Sequence, residues 1–239
     1  MKVFKVKLYQ ELVNYRKAYS YNFLETYPLP SFSMIKGWIY SSIDAEDKDA
    51  YYEETITDLK IGVSGVISGL THDLQHMIKL GNMNNFEEIK EDLKNRTPTY
   101  VTLISSINLN IYIHAGERLL NDFQKNLFRI YPSLGRYEDL AQIEFSDYIE
   151  LAEKKFSARN SHPVNYYTYL SEENIKGLDS MKGSYLRIPT TYEINNKIRN
   201  FKKKNVLCLS DNCTVSEGTF FFDNSDSNDE RVVDLISLM

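Results

Sequence analysis

Residues 25–43 read ETYPLPSFSMIKGWIYSSI, and the interpretation of the whole chain turns on them. Two prolines in three residues, Pro28 and Pro30, favour an extended or turning backbone and hold Tyr27 and Leu29 out of the α region. Ser31 and Ser33 then stand where helix N-caps stand. Phe32, Ile35 and Ile39 follow at helical spacing, with Lys36 and Trp38 on other faces. The stretch therefore predicts a strand, a sharp turn and a helix with an open N-terminus. Such an N-terminus presents unsatisfied N–H groups and partial positive charge, which suits phosphate. The same pattern also describes a capped helix running into a core.

Toward the N-terminus, residues 2–9 alternate, with Phe4, Val6 and Leu8 on one face and Lys5, Lys7 and Tyr9 on the other. That is a half-buried strand with a basic, aromatic outer face. Arg16, Lys17, Tyr19 and Tyr21 follow in a second extended segment. Cations and rings interleaved in this way suit RNA, where cations meet phosphates and rings stack on bases; a solvated strand and loop fit equally.

Toward the C-terminus, residues 59–70 read as strand, with Gly62, Gly65 and Gly69 at spacings that do not form a dinucleotide-binding turn. Bulges or close approach by another backbone account for them better. Thr71 is expected to cap a short helix carrying His72 and His76. A zinc protease pattern would need Glu after the first His, where Asp73 stands, so no metal site is expected. Phe86, Ile89 and Leu93 mark a second short helix, and residues 68–97 together look like an excursion from a sheet. Residues 100–105 and 107–114 read as two strand segments. The second sets Ile107, Leu109, Ile111 and Ile113 against Asn108, Asn110, Tyr112 and His114. A buried apolar face opposite a polar, aromatic one fits an RNA-binding sheet, and any antiparallel sheet with one wet face. Residues 117–128 form an amphipathic helix, followed by a strand ending near Ile143. At residues 133–138 a turn at Pro132 and Gly135 presents Arg136, whose fork suits phosphate or a structural pair with Glu138 or Asp139.

Beyond Ser146, residues 148–156 are expected to be helical and residues 160–169 an aromatic loop. Strands are expected at 185–188, 206–209, 219–223 and 231–236, with a basic turn at Lys202, Lys203 and Lys204 and an acidic loop at 223–230. Periodicity alone supports an α+β class.

The 239 residues suffice for one large domain or a domain with an appendage. The 18 tyrosines and 12 phenylalanines suit base stacking, packed cores and subunit contacts alike. A net charge of −5 argues against a generic nucleic-acid binder, so any RNA contact must use local basic patches or partners. No apolar run is long enough to span a membrane, and the lysines in MKVFKVKLYQ do not suit a signal peptide; a cytoplasmic location is expected. Cys208 and Cys213 lack a nearby His to complete a zinc site, and no disulfide is expected.

The run from Tyr27 through Gly37 resembles the Y-P-L-P-P-x-[ST]-x-x-x-G core of the CRISPR-associated Cas-five family, with Ser31 where a second proline is common. The run from Leu134 through Leu140 is similar to that family's L-G-R-x-E-D segment. The likeness covers Met1 to about Glu150 and the remainder only loosely. It implies an RRM-like, ferredoxin-like (RAMP) domain over residues 1–148, a thumb-like insertion at 68–97 and a small β-rich C-terminal region at 149–239. It further implies a non-catalytic RNA-binding subunit of a Cascade complex in antiviral defense, of type I-B. Such a subunit holds the 5′ handle of the crRNA and caps a filament of Cas-seven-type backbone subunits. It docks the Cas-eight-type large subunit and meets target DNA only through the complex, with no cofactor and no membrane.

The residues expected at RNA are Lys5, Lys7, Arg16, Tyr27, Ser31, Ser33, Lys36, Trp38, Tyr112, His114 and Arg136. The alternative is a metal-independent endoribonuclease that processes precursor CRISPR RNA, as type I-C relatives do with Tyr, Lys and His. In those relatives Lys and His are adjacent. Here His72, His76, His114 and His162 follow Thr71, Gln75, Ile113 and Ser161.

Overall fold

A computed structural model describes residues 1–18, 20, 23–43, 58–78, 96–175, 183–195, 198–210, 212–226 and 229–238. The first half of the chain forms β1 (Lys2–Val13), β2 (Phe23–Leu24), α1 (Phe32–Ser42), β3 (Lys60–Ile78), β4 (Arg96–His114), α2 (Glu117–Asn126) and β5 (Gln142–Glu150). The second half is mostly β. It comprises β6 (Ala152–Phe156), β7 (His162–Val164), β8 (Tyr167–Ser171), α3 (Glu172–Ile175), β9 (Gly183–Asn195), β10 (Ile198–Leu209), β11 (Cys213–Val215), β12 (Gly218–Asp223), β13 (Arg231–Val233) and β14 (Ile236–Ser237).

The main sheet runs β5-β1-β4-β3-β8-β10-β9, with β14 on β3 and β2 on β4. Strands from both sides of residue 148 share it. The alternation in β1 sets its register, with Lys5 opposite Tyr112 and Val6 opposite Ile111. Phe4, Val6 and Leu8 join Leu109, Ile111 and Ile113 in a buried face under α1 and α2. Ile35, Ile39 and Phe123 come down from those helices, and Trp38 and Phe4 both stand edge-on to Phe123 at 5.3 and 5.8 Å. Ser31 caps α1, its Oγ accepting from the Met34 N–H at 3.3 Å. Tyr169 ties the proline turn to the second half by donating its hydroxyl to the Leu29 carbonyl at 2.8 Å.

The opposite sheet face is closed as well. Val3, Tyr112, Ile149, Leu151 and Val233 form a second buried cluster there, with Phe221 and Leu235 against it. Residues of β12, β13 and the segment after them thus cover a face that the sequence alone leaves wet.

Several local expectations are corrected. His72 and His76 lie in β3, not on a helix, because the ladder with β4 continues to Ile78 opposite Arg96 and satisfies the backbone there. The second short helix, at 86–93, falls outside the described residues. The two segments read around Ser106 are one strand: Ser106 has φ 52°, yet the register with β3 continues across it. Residues 148–156 are strand, because Tyr148 pairs with Phe4 and β6 pairs with β12. The loop expected at 160–169 contains β7 and the start of β8, and Lys202, Lys203 and Lys204 lie within β10 instead of a turn. The strand after α2 begins at Gln142, beside Ile143 where it was expected to end. Cys208 and Cys213 are both buried and not joined in a disulfide, and burial pushes the Cys208 thiol up to about 12.

The β3 glycines separate into two kinds. A Cβ on Gly65 would meet Leu109 Cδ2 at 2.9 Å, the Asn108 carbonyl at 3.1 Å and Leu29 Cδ2 at 3.1 Å, whereas one on Gly69 meets nothing within 4 Å. Gly65→Ala should therefore destabilise by about 1–3 kcal/mol, and Gly69→Ala by about 0.5 kcal/mol or less. Urea unfolding of the two variants gives the comparison, and equal losses would remove close approach as the reason for Gly65.

Candidate nucleic-acid interface

Three cations lie around the start of α1, Arg16 and Arg199 exposed and Lys36 4% exposed. Arg16 is held by its bridge to Thr26, in the connection between β1 and α1. Ser31, Ser33, Lys36, Gly37 and Tyr40 come from the cap and body of α1, and Pro189, Tyr192, Arg199 and Phe201 from β9 and β10. Together they line a cleft of about 550 Å³. Tyr192 and Phe201 are cross-strand partners with ring centroids 5.7 Å apart, and the Arg199 guanidinium lies 4.8 Å over the Tyr192 ring. Lys36 has its ammonium 5.5 Å from the Tyr40 ring, and burial pushes its pKa below the ordinary lysine value.

Among the described residues no carboxylate lines this cleft. Four other clefts contain Glu172, Glu117, Glu153 and Glu144 respectively. Among the described residues neither Arg16 nor Arg199 forms an ion pair. In a chain of net charge −5, this is a local concentration of positive charge beside a helix N-terminus, where anions are favoured.

Of the residues expected at RNA, the cleft brings together Arg16, Ser31, Ser33 and Lys36. The others are dispersed. Lys5 is 3% exposed, and its ammonium meets Asp223 Oδ2 at 2.6 Å. Tyr112 is fully buried and donates its hydroxyl to the same oxygen at 2.8 Å. The open sheet face expected for this pair is corrected, because the second half of the chain supplies a buried counter-ion. Burial works to raise the Asp223 pKa, but hydrogen bonds from Lys5 and Ser225 outweigh it and hold the carboxyl below its ordinary value. Burial and the Asp223 charge together push the Tyr112 phenol well up. Lys7 sits 4.0 Å from Asp229.

Trp38 is buried against Phe123 and offers no exposed ring for stacking. Tyr27 is buried too; its hydroxyl donates to the Arg187 carbonyl at 3.4 Å, and the Lys17 ammonium stands 5.9 Å from its ring. His114 lines a different cleft with Lys2, Glu117 and Tyr148. Arg136 is engaged internally: its Nη2 donates to Asp139 Oδ1 at 2.7 Å, and its Nη1 donates to Gln75 Oε1 at 2.9 Å and pairs with Glu138. Of its two readings, the structural pair is the one observed. Tyr19 and Tyr21 lie outside the described residues.

Sequence reasoning missed Tyr192, Arg199 and Phe201. A signal was present: Arg199 and Phe201 are two residues apart, interleaving charge and ring as the first strand does. Reading the lysines that follow as a turn concealed it.

Among the described residues no group of three His, Cys, Asp or Glu is placed to hold a metal ion, and no helix is long and apolar enough to cross a membrane. No family model and no curated protein sequence matches the chain. Solved structures do. A chain titled as a CRISPR RNA-guided surveillance complex aligns with a TM-score of 0.55 at 13% identity, over 89% of this chain and 91% of that one. A CRISPR protein from Archaeoglobus fulgidus aligns with a TM-score of 0.52 at 14% identity, over 99% and 100% of the two chains. At these identities the likeness is one of fold: the chain has the fold of these CRISPR proteins.

Two stability predictions follow from the ion pairs. Asp223→Asn leaves the Lys5 cation buried without its counter-charge and should cost about 3–5 kcal/mol. Because the folded carboxyl titrates below its unfolded value, the Asp223 contribution is full above the ordinary carboxylate pKa and disappears as pH falls through the lowered one. Acid titration of wild type and variant should therefore converge below about pH 4, the ordinary range for Asp. Parallel curves would place the acid-sensitive group elsewhere. Arg136→Ala should lower the melting temperature, because the buried Asp139 carboxylate loses its paired cation. A selective loss of RNA binding in a stable Arg136→Ala protein would restore that residue to the interface.

Proposed function

We propose that this chain is a non-catalytic RNA-binding subunit of a CRISPR effector complex of the Cascade kind. The observation that carries the proposal is the cationic and aromatic cleft at the start of α1, without a carboxylate among its described residues and formed around the same residues that resemble the Cas-five signature. The fold shared with CRISPR proteins supports it. So does the chain order β1-α1-β3-β4-α2-β5 in a sheet ordered β5-β1-β4-β3, which is compatible with a ferredoxin-like βαββαβ core. In this reading the cleft holds part of the crRNA 5′ handle. The far end of the β3–β4 hairpin, with Leu70, Leu74 and Tyr100 exposed, is the thumb-like arm toward a Cas-seven-type neighbour. The Cas-eight-type subunit, type I-B and an indirect contact with target DNA belong to the same reading.

A second reading, a metal-independent endoribonuclease, draws on one observation. His114, Tyr148 and Lys2 line a single cleft of about 350 Å³, with the Lys2 ammonium 4.5 Å from the Tyr148 ring. These are the residue types that could move a proton at a ribose hydroxyl and balance developing charge.

Purified protein incubated in EDTA with repeat RNA and with handle-bearing RNA separates the two. Handle binding without cleavage is expected. Arg16→Gln should weaken that binding and reduce the slope of log K against log salt by about 1. Cleavage at one position, abolished by His114→Ala, would replace the non-catalytic reading with the second. Binding indifferent to salt would remove phosphate contacts from it.

A further inference from the structure

The cleft at α1 has two unlike walls. One side carries Arg16, Ser33 and Lys36; the other carries the Tyr192–Phe201 pair, with Arg199 laid on the Tyr192 ring. A site for phosphate alone has no use for the aromatic wall. Tyr192 and Phe201 are half-exposed, so their rings contribute surface to the cleft instead of being consumed in the core. Resting on the RNA-binding reading above, we infer that the cleft takes one unpaired nucleotide of an RNA strand. Its base lies against Tyr192 and Phe201, and its phosphate faces Arg16.

Three features define that ligand. The volume of about 550 Å³ lies within the ordinary range for one small ligand and is closed to a helical duplex. Stacking on rings requires a base whose face is free, which a paired strand does not present. Among the described residues the lining contains no Asn, Gln, Asp or Glu, the side chains that pair with adenine or cytosine edges. The aromatic wall therefore selects for single-strandedness, and the stacking itself accepts any base, since every base has a π face. The hairpin of β9 and β10 becomes an RNA-contacting element, and Phe201 its specificity-determining residue.

The test uses the full chain and fluorescence anisotropy with three labelled probes of equal length. These are oligouridylate, an abasic ribose-phosphate strand and an RNA duplex. Oligouridylate should bind best. Phe201→Leu should weaken it by about 5- to 100-fold, the range for losing one base–aromatic stack, and leave the abasic strand unchanged. Arg199→Gln should weaken both single strands and flatten their salt dependence. Thermal melting establishes that the variants are folded, and Tyr192→Leu replaces Phe201→Leu if the latter does not fold. Equal binding of abasic strand and oligouridylate, no effect of Phe201→Leu, or equal binding of duplex would each overturn the nucleotide assignment while RNA binding stands. Uridine monophosphate competing as strongly as the oligomer would do the same, in favour of a free-nucleotide site. Absence of binding to every probe would overturn the RNA-binding reading and the assignment together.

Discussion

The buried contact between Lys5 and Asp223 is the constraint on which the arrangement of the two halves depends. An ammonium at 3% exposure in the first strand is costly unless it is paired, and its carboxylate comes from β12. Replacing such a pair by apolar residues is often neutral or stabilising, so its value here lies in specificity, not net energy. Lys5 fixes where β12 must lie. Tyr112 shares the same oxygen, and Ser225 donates to the other oxygen of the same carboxyl, so one group sets the position of three chain segments.

Closing that face leaves the part of the sheet around Phe4, Tyr112 and Ile113 buried on both sides. Helices α1 and α2 cover one side through Ile35, Ile39 and Phe123, and the C-terminal strands cover the other through Val233 and Phe221. Exposed cations such as Arg16 and Arg199 lie toward an edge of this packing. The start of α1 is such an edge, where the proline turn, the Ser31 cap and the β9–β10 hairpin converge. Tyr169 and Tyr27 reinforce the convergence, each donating to a carbonyl across it, at Leu29 and Arg187.

What the sequence disclosed was local. The Ser31 cap, the helical spacing of Phe32, Ile35 and Ile39, and the alternation in the first strand all act over a few residues, and all appear in the structure. So does the buried face of Ile107, Leu109, Ile111 and Ile113. What it concealed was long-range. Lys5, Lys7 and Tyr112 have the pattern of a wet basic face, and nothing near them announces Asp223 or Asp229. The His72 and His76 spacing suits a helix, but pairing with β4 overrides it. Arg136 shows the middle case, since its partner Asp139 is three residues away and was in view.

The Lys5–Asp223 contact spans 218 residues, which bears on how the protein comes into being. A ribosome adding about 5–20 residues each second needs roughly 10–40 s to deliver Asp223 after Lys5 has emerged. Throughout that interval the first strand carries a cation that its core cannot bury, and the sheet keeps an uncovered face. The N-terminal portion must wait, partly wet and open to other chains, for the closing strand. Contacts this distant in sequence also make a fold slow to form. Synthesis beside its partners would shorten the exposure of that face, because another surface could occupy it until β12 arrives.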